Sequence, residues 1–391
     1  MKTVFLGMLC PKDRLPEIKS KNSYFDFPGN VFQQAVIDGL DKYSSVTIIS
    51  APNIKGLKGR IFKSSIFSHN NLSCDICLPI FDVPGLKEII SAWNFWLELK
   101  KFKDIDSIII YSTSFPALYA ASKFKKRNPH VKIINIITDL PEFMSTGNSY
   151  IYETLKSVGI KLYNIYSKYI DGYVLLAPKM IERLPCRNIP WIQLEGIYSN
   201  TSYKITPQSK LKGKLIMYSG ALEAKYGIID LLDAFSMLND NEYRLYLCGS
   251  GSAIDIIKQR ASNDSRIIYL GVLDHSKVIE LQSEVSLLVN PRPSKDEYTI
   301  YSFPSKTIEY MASGTPVLMT RLKCLPKEYY PYLYFIETET SIGIRDKIIE
   351  IFEKPEIERN AFGHRASEFI LNNKTASIQV QKIISLIKNL K

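Results

Sequence analysis

The feature that most constrains this chain is a strand-like run followed by a helix-like run, repeated along its length in two series. In the first series, apolar runs read as strands at Val4–Leu9, Val46–Ser50, Ser107–Tyr111, Lys132–Ile137 and Gly172–Leu176. Helical patterns lie between them at Val31–Asp41, Pro116–Lys126 and Tyr152–Lys168. In the second series the strands are Lys214–Tyr218, Tyr243–Cys248, Arg266–Leu270, Ser286–Asn290 and Pro316–Thr320. Helical patterns at Ile228–Leu238, Ala253–Ala261, Lys277–Ser283 and Lys306–Ser313 separate these. Such alternation calls for parallel sheets covered by helices on both faces, because a parallel strand needs a long crossover to return. The stretch Tyr198–Lys212 has neither period and reads as a linker. The expected architecture is α/β, with two doubly wound, Rossmann-like domains facing across a cleft. The first covers 1–198 and the second 213–365, with a linker over 199–212. A C-terminal helix over 366–391 is free to pack back on the first domain. Ligands of such sheets sit at the carboxyl ends of the strands.

Composition narrows the class. A length of 391 residues suits two or three domains, and 46% hydrophobic with 23% charged residues excludes a mainly disordered or fibrous chain. No apolar run reaches the roughly 18–20 residues of a membrane span. The opening MKTVFLGMLC reads as a strand rather than a cleaved signal, since charges and proline return within a few residues. Six cysteines are scattered, and the single close pair, Cys74 and Cys77, cannot alone complete a zinc site. Scattered thiols suit a reducing compartment, so a cytoplasmic location is expected. Residues 1–200 carry 25 Lys and Arg against 17 Asp and Glu, a net of +8, whereas residues 201–391 net only +3. A basic first half points to an anionic partner.

The densest chemical signal is Val289–Gly314, VNPRPSKDEYTIYSFPSKTIEYMASG. A buried strand runs into a polar loop holding Arg292 and Glu297, and Ser302-Phe303-Pro304 opens a helix near Ser305. A helix start offers free N–H groups and partial positive charge, which suits phosphate. Lys306 adds a cation there, with Ser305 and Thr307 beside it. Glu309, one turn on, is placed to accept hydrogen bonds from sugar hydroxyls. Diphosphate at the helix start and ribose at the carboxylate together describe a nucleoside-diphosphate site. A bare K-x-x-E would be only a surface pair; the surrounding pattern raises it above that. Upstream, MYSGALEAKYG places Gly220 and Lys225 on a strand–loop–helix, and LCGSGS places Gly249 and Gly251 on a tight turn after a strand.

These segments, in this order over about residues 213–340, closely resemble the nucleotide-sugar-binding half of GT-B glycosyltransferases, in particular the large retaining family 4. The resemblance implies transfer of a sugar from a nucleotide-diphosphate donor, with UDP expected on family frequency. It also implies retention of anomeric configuration and no essential metal or other cofactor. It places Gly220, Lys225, Gly249, Gly251, Val272, Arg292, Glu297, Ser305, Lys306, Thr307 and Glu309 at the donor. Two departures stand out. Ala221 occupies the position of the family's usual loop Arg, and Tyr301 that of the first of two Glu residues whose second is Glu309. His275 reads as a base-site residue or as a helix-start surface residue.

The resemblance is weaker in the first half, where the acceptor would bind. Phe25-Asp-Phe-Pro-Gly-Asn30 resembles the family's first glycine loop, making Gly29 and Asn30 donor-side candidates, with an ordinary turn and cap as the alternative. Asp139, ending the strand IINIIT, is a candidate contact for sugar hydroxyls in place of the family's usual His, or else a helix cap. Catalysis is thus assigned to Asp139, Lys225, Lys306 and Glu309. Lys87–Lys103 puts Ile89, Ile90, Trp93, Trp96 and Leu97 on one helical face followed by lysines, a pattern of membrane-surface contact or of a core-facing helix with solvated ends. The expected partners are a nucleotide-diphosphate sugar and a glycan or polyprenyl-diphosphate-linked acceptor in surface-polysaccharide synthesis such as capsule or exopolysaccharide, with a peripheral position at the inner membrane face. Nucleic acid is excluded, as no recognition module appears. Two alternatives stand: a nucleotide-sugar 2-epimerase of the same fold, and a non-catalytic transferase-like subunit.

Overall fold

The computed structural model describes residues 1–20, 24–56, 61–83, 85–143, 150–199 and 210–390. Two compact units result. One comprises Met1–Ile197 with Ala376–Lys391, the other Tyr198–Thr375.

The first unit contains β1 (Lys2–Gly7), β2 (Tyr24–Phe25), β3 (Ser45–Ser50), β4 (Ile54–Lys55), β5 (Ile61–Phe62), β6 (Ser65–Phe67), β7 (Asp75–Cys77), β8 (Ile80–Phe81), β9 (Ser107–Tyr111), β10 (Lys132–Ile137), β11 (Gly172–Leu175) and β12 (Trp191–Gln193). Eight of them form one sheet in the order β12-β11-β10-β9-β1-β3-β7-β6, while β2–β4 and β5–β8 pair as two small antiparallel ladders. All the ladders of the large sheet are parallel except β6–β7. Strands such as SIIIY at β9 are buried along their whole length, as a sheet covered on both faces requires. Phe5, Ile109, Ile134 and Val174 pack with Val36, Ile37 and Leu40 of the Phe27–Leu40 helix and with Val380 and Ile383 of the Ala376–Asn389 helix. Gly39 lets those two helices meet, since a Cβ there would lie 2.6 Å from the Ala376 carbonyl oxygen.

The second unit contains β13 (Lys214–Ala221), β14 (Tyr243–Ser250), β15 (Ile267–Gly271), β16 (Leu287–Asn290), β17 (Val317–Thr320) and β18 (Tyr334–Ile336). They form one parallel sheet in the order β15-β14-β13-β16-β17-β18. The order reverses at β13 and β16, the switch point where such sheets hold ligands. Leu231, Leu232 and Phe235 of the Ile228–Ser236 helix and Ile344, Ile348 and Ile351 of the Ser341–Glu353 helix pack on one face of this sheet.

The strands read from the sequence are present, with ends shifted by up to three residues. The short strands β6, β7, β12 and β18 were not legible, because three residues carry no period. Most of the 199–212 stretch lies outside the described residues. Tyr198, just before it, donates its N–H to the Lys374 carbonyl (2.7 Å), and within it the half-buried Lys210 ammonium donates to Ser283 O (2.8 Å) and Thr315 Oγ1. The region expected as one helix over 366–391 is instead the Glu356–Asn373 helix in the second unit and the Ala376–Asn389 helix in the first. The break falls where Lys374 buries its stem against Tyr329 and Phe369 and pairs with Glu328. Among the described residues no helix is long and apolar enough to cross a membrane.

Candidate functional site

The carboxyl ends of β13, β14 and β16 bring together most of the second-half candidates. Gly220 and Gly249 are register partners across β13 and β14. Their φ angles, +147° and +136°, are accessible to glycine and to few other residues. A Cβ on Gly249 would lie 1.8 Å from the Gly220 carbonyl oxygen, and one on Gly251 2.4 Å from that of Leu222. The two glycine turns therefore lie backbone against backbone. The Lys306 and Tyr218 side chains reach this turn, the Lys306 Cε 3.5 Å and the Tyr218 hydroxyl 3.6 Å from where a Gly220 Cβ would be.

Lys306 opens the Lys306–Ala312 helix, and its ammonium pairs with Glu309 Oε1 at 3.1 Å. The Glu309 carboxylate is otherwise held from below. Gln282 Nε2 donates to the same oxygen at 2.7 Å and to Ser219 Oγ at 2.9 Å, while His275 Nε2 meets Oε2 at 3.2 Å. Tyr310, fully buried, accepts the Ser219 N–H (2.8 Å) and donates to the Ser219 carbonyl (2.9 Å), fixing the last turn of β13. Burial by itself would raise the Glu309 carboxyl. The His275 hydrogen bond, the Lys306 charge and the Gln282 amide outweigh it and hold the group at about 2. Glu309 is thus a fixed, ionised acceptor with 24% of its side chain still exposed, enough to accept from a ligand's hydroxyls. Tyr198 stands nearby: burial raises its phenol, and the Glu309 charge adds to that.

A second group of side chains flanks the glycine turns. Lys225, exposed on a short turn before the Ile228–Ser236 helix, lies 5.4 Å from the Tyr226 ring centroid and 5.9 Å from that of Tyr298. Gly227 closes that turn in the left-handed conformation, where a Cβ would strike the Pro291 carbonyl at 2.2 Å. Arg292 is buried, its guanidinium over the same two rings. Val272 follows Gly271 and is 74% exposed, an apolar surface open to a flat ligand. Glu297 and Ser305 are exposed at the rim. Tyr301, at the position of the family's first Glu, is buried.

Two candidates have side chains engaged inside the protein. Thr307 turns inward: its side chain is buried with Oγ1 3.8 Å from Met319 Sδ, and its N–H is spent on Pro304 O (2.9 Å). Asn30 is a strap rather than a loop contact. The helix expected from Val31 begins at Phe27, capped by Asp26 Oδ1 accepting the Gly29 N–H (3.0 Å). In its first turn Asn30 Oδ1 accepts the Cys10 N–H at 2.8 Å, as Gln33 Oε1 accepts that of Met8 at 2.7 Å. Gly29 does reach a strand end, where a Cβ would lie 2.9 Å from the Tyr111 hydroxyl. Burial raises the Tyr111 phenol; the Thr138 hydrogen bond opposes this, and the Asp26 and Asp139 charges add to it. Asp139, exposed, therefore belongs to a polar group at the ends of β9 and β10 with Gly29 and Tyr111.

Near that group, a cavity of about 270 Å³ opens among the carboxyl ends of β1, β3 and β9. Met8, Pro52, Phe95 and Phe115 make it largely apolar, with Lys87 and Lys156 among its lining. The Lys87–Leu99 helix that walls it buries Phe95 and Trp96 but leaves Ile89 63% and Trp93 53% exposed. Ile89 and Trp93 therefore depart from the core-facing alternative, and Lys123 and Arg127 lie over the Trp96 ring. Among the described residues no group of three or more His, Cys, Asp and Glu could hold a metal.

Gln282, Tyr310, Ser219 and Tyr198 escaped the sequence reading. Gln282 had a visible signal: it lies on the buried face of the His275–Glu284 helix with Val278, where a glutamine must find partners. The others gave none, because their roles depend on which strands become neighbours.

Residues 201–369 match the model of the family described as Glycosyl transferases group 1. No curated protein matches the chain by sequence. Among solved structures, sucrose-phosphate synthase from Thermosynechococcus elongatus is similar with a TM-score of 0.67 and 12% identity, over 100% of this chain and 99% of that one. HepE of Anabaena, in complex with UDP, has a TM-score of 0.63 and 12% identity over the whole of both chains. A TarM variant of S. aureus, in complex with fondaparinux, alpha-GlcNAc-glycerol and UDP, has a TM-score of 0.64 and 12% identity, again over the whole of both.

Proposed function

We propose, from the match of residues 201–369 to the group 1 glycosyl transferase model and from the GT-B fold, that the chain moves a sugar from a nucleoside-diphosphate donor, UDP first among them, to a hydroxyl of a glycan acceptor. One observation carries the reading. Glu309, held ionised by His275, Gln282 and Lys306, stands at the carboxyl ends of β13 and β14, where Lys306 reaches the Gly220 turn. The carboxylate suits ribose hydroxyls, and Lys306 and Lys225 suit the diphosphate. The reaction needs a stabilised leaving group more than a nucleophile, so cations fixed where charge develops lower its barrier. This reading requires no cofactor; retention of configuration comes to it from the family 4 resemblance alone. Support for UDP is the nucleotide in the HepE and TarM complexes.

On the same proposal the acceptor enters the cavity of the first unit, with Asp139 near its hydroxyl. The apolar lining with Lys87 and Lys156 suits an acceptor carrying apolar and anionic parts, such as a lipid-linked diphosphate in surface-polysaccharide synthesis. Exposed Ile89 and Trp93 beside Lys100, Lys101 and Lys103 suit an anionic bilayer at the inner membrane face. Vesicle sedimentation tests that part: the protein should pellet with anionic and not neutral vesicles, and equal pelleting, or none, rejects it.

The donor reading is tested by thermal shift with UDP, GDP, ADP and CDP, then with their sugars. A ligand that binds only the folded state raises Tm, by about 2.7 kcal/mol of stability at 100 times its Kd. A shift with one nucleoside diphosphate is expected. No shift with any of them at millimolar concentration would reject the donor site, and would favour the non-catalytic subunit that the buried Tyr301 keeps in view.

A further inference from the structure

One glycine in the wall of the first unit's cavity takes no part in packing the described residues. Gly159 lies in the interior of the Tyr150–Tyr166 helix, and nothing among the described residues stands within 4 Å of where its Cβ would be. In a helix interior glycine is less stable than alanine, because its backbone loses more freedom on folding. Such a glycine usually answers the close approach of another backbone, as Gly39 does in this unit. Gly159 meets no such approach and instead lines the cavity of about 270 Å³.

The cavity is propped open. Tyr163, one turn after Gly159 on the same helix face, is buried and donates its hydroxyl to Asn135 Oδ1 of β10 at 2.6 Å. The Asn135 amide donates in turn to the carbonyls of Ile110 (3.0 Å) and Ser112 (2.8 Å) at the end of β9. Ser112 is buried with a φ of +65°, a left-handed conformation that serine rarely adopts, and its N–H donates to Ile136 O at 2.7 Å. The residues that follow it, Thr113, Ser114 and Phe115, line the cavity. These bonds fix the helix at a set distance from the sheet, so it cannot settle inward and close the space beside Gly159. Strained backbone held by such a network collects at functional sites.

The lining defines the chemistry of the occupant. Ile80, Phe95, Phe115 and Ile160 are apolar, while Lys87 and Lys156 against Glu88 leave a net positive charge. An apolar cavity of about 150 Å³ holds a benzene ring, so one of 270 Å³ suits a hydrocarbon group of roughly ten carbons.

We propose that Gly159 is the specificity-determining residue of this cavity, keeping the helix backbone bare so that the hydrocarbon chain of an anionic acceptor lies against it. This deepens the acceptor reading above and rests on it. A side chain at 159 would stand in the space that the hydrocarbon fills. The glycine therefore gives up helix stability for room, as binding sites commonly do.

The test is isothermal titration of the whole chain with geranyl diphosphate, whose hydrocarbon chain matches that size, and with inorganic diphosphate. Millimolar UDP keeps both ligands out of the donor site. Geranyl diphosphate should bind the unaltered protein more tightly than inorganic diphosphate does. Gly159→Leu should weaken it by roughly tenfold or more and Gly159→Ala by about threefold, with inorganic diphosphate unaffected by either. Gly159→Ala should at the same time raise Tm, a combination that a merely structural glycine would not give. If Gly159→Leu does not fold, Gly159→Ala decides by itself. Undiminished affinity for geranyl diphosphate in the folded variants overturns the proposal and leaves the acceptor reading standing. A loss of affinity accompanied by a fall in Tm in both variants also overturns it, marking 159 as a packing position. Absence of binding by the unaltered protein, or equal binding of inorganic diphosphate, strikes the acceptor reading and the proposal with it.

Discussion

The two units solve the same topological problem and end in different surfaces. Each is a largely parallel sheet, yet at its carboxyl ends the second unit places charge and close-packed glycine backbone, and the first places apolar side chains around a cavity. At the ends of β13 and β14 three glycines with positive φ clear the ground, and Lys306, Glu309, Arg292 and Lys225 surround it. At the ends of β1, β3 and β9 the walls are Met8, Pro52, Phe95 and Phe115, with lysines among them. A fixed anion needs preorganised cations and close backbone, and both demand particular residues at particular positions. An apolar cavity needs only shape and volume, which many side chains supply. This is why the second half resembles a known family so closely while the first half does not.

The largest expected effect breaks the comparison from the charged side. Gly249→Val puts a side chain 1.8 Å from the Gly220 carbonyl oxygen in a backbone conformation that valine avoids. A loss above roughly 3 kcal/mol is expected, visible as an early unfolding transition and no UDP shift. A near-normal melt would mean that the two turns can move apart.

Next come opposite responses to alkali. In the first unit His69 lies between Asp75 (2.6 Å) and Asp41 (2.9 Å), and Asp75 Oδ1 accepts the Ile48 N–H of β3 at 2.8 Å. Burial alone would lower the His69 pKa, but the Asp41 and Asp75 hydrogen bonds and charges raise it from 6.5 to about 9. A raised pKa gives stability that is complete below pH 6.5 and is lost as pH climbs through 9, on the order of 2–3 kcal/mol. In the second unit Lys210 runs the other way. Burial lowers it to about 8, so its cost is complete below that value and fades as pH rises toward 10.5. Hydrogen-exchange protection, corrected for the intrinsic rise of exchange with pH, should therefore fall in β3 and β7 between about pH 6 and 9.5, while that of β13 and β16 should not follow. His69→Gln should remove the pH dependence of the first unit; a dependence that persists would locate it elsewhere.

A smaller effect sharpens the donor site. Glu309→Gln should weaken uridine and UDP alike by about tenfold, close to 1.4 kcal/mol. Because the carboxyl sits near 2, its contribution holds above about pH 4.5 and is lost only as pH falls toward 2. Uridine affinity should thus stay level from pH 5 to 8 in this respect. A loss confined to UDP would move Glu309 from ribose to phosphate.

The smallest effect is on the apolar side. Gly159 lines the first unit's cavity in the Tyr150–Tyr166 helix, with nothing within 4 Å of where a Cβ would stand. Gly159→Ala should raise stability by about 0.5–1 kcal/mol through helix propensity and leave donor binding unchanged. A fall in Tm would show that the cavity tolerates less than its volume implies.

By itself the sequence determined two strand–helix series, the glycine turns at 220, 249 and 251, and the Ser302–Glu309 segment. Each rests on a local rule: a hydrophobic period, a backbone conformation open to glycine, or a short run of residues on one turn. It did not show the internal partners of Asn30 and Thr307, because a side chain's target is not local. Asn30 faces Cys10 across 20 positions, and Thr307 turns toward Met319 on a later strand. Tertiary structure alone decided that Gln282 holds Glu309, that Tyr310 locks Ser219 from 91 positions away, and that the Arg292 guanidinium lies near the Tyr226 and Tyr298 rings. The physical reason is the same in each case. Hydrogen bonds and charges act over a few ångströms in space, and only the packing of the sheet decides which distant residues come within that reach.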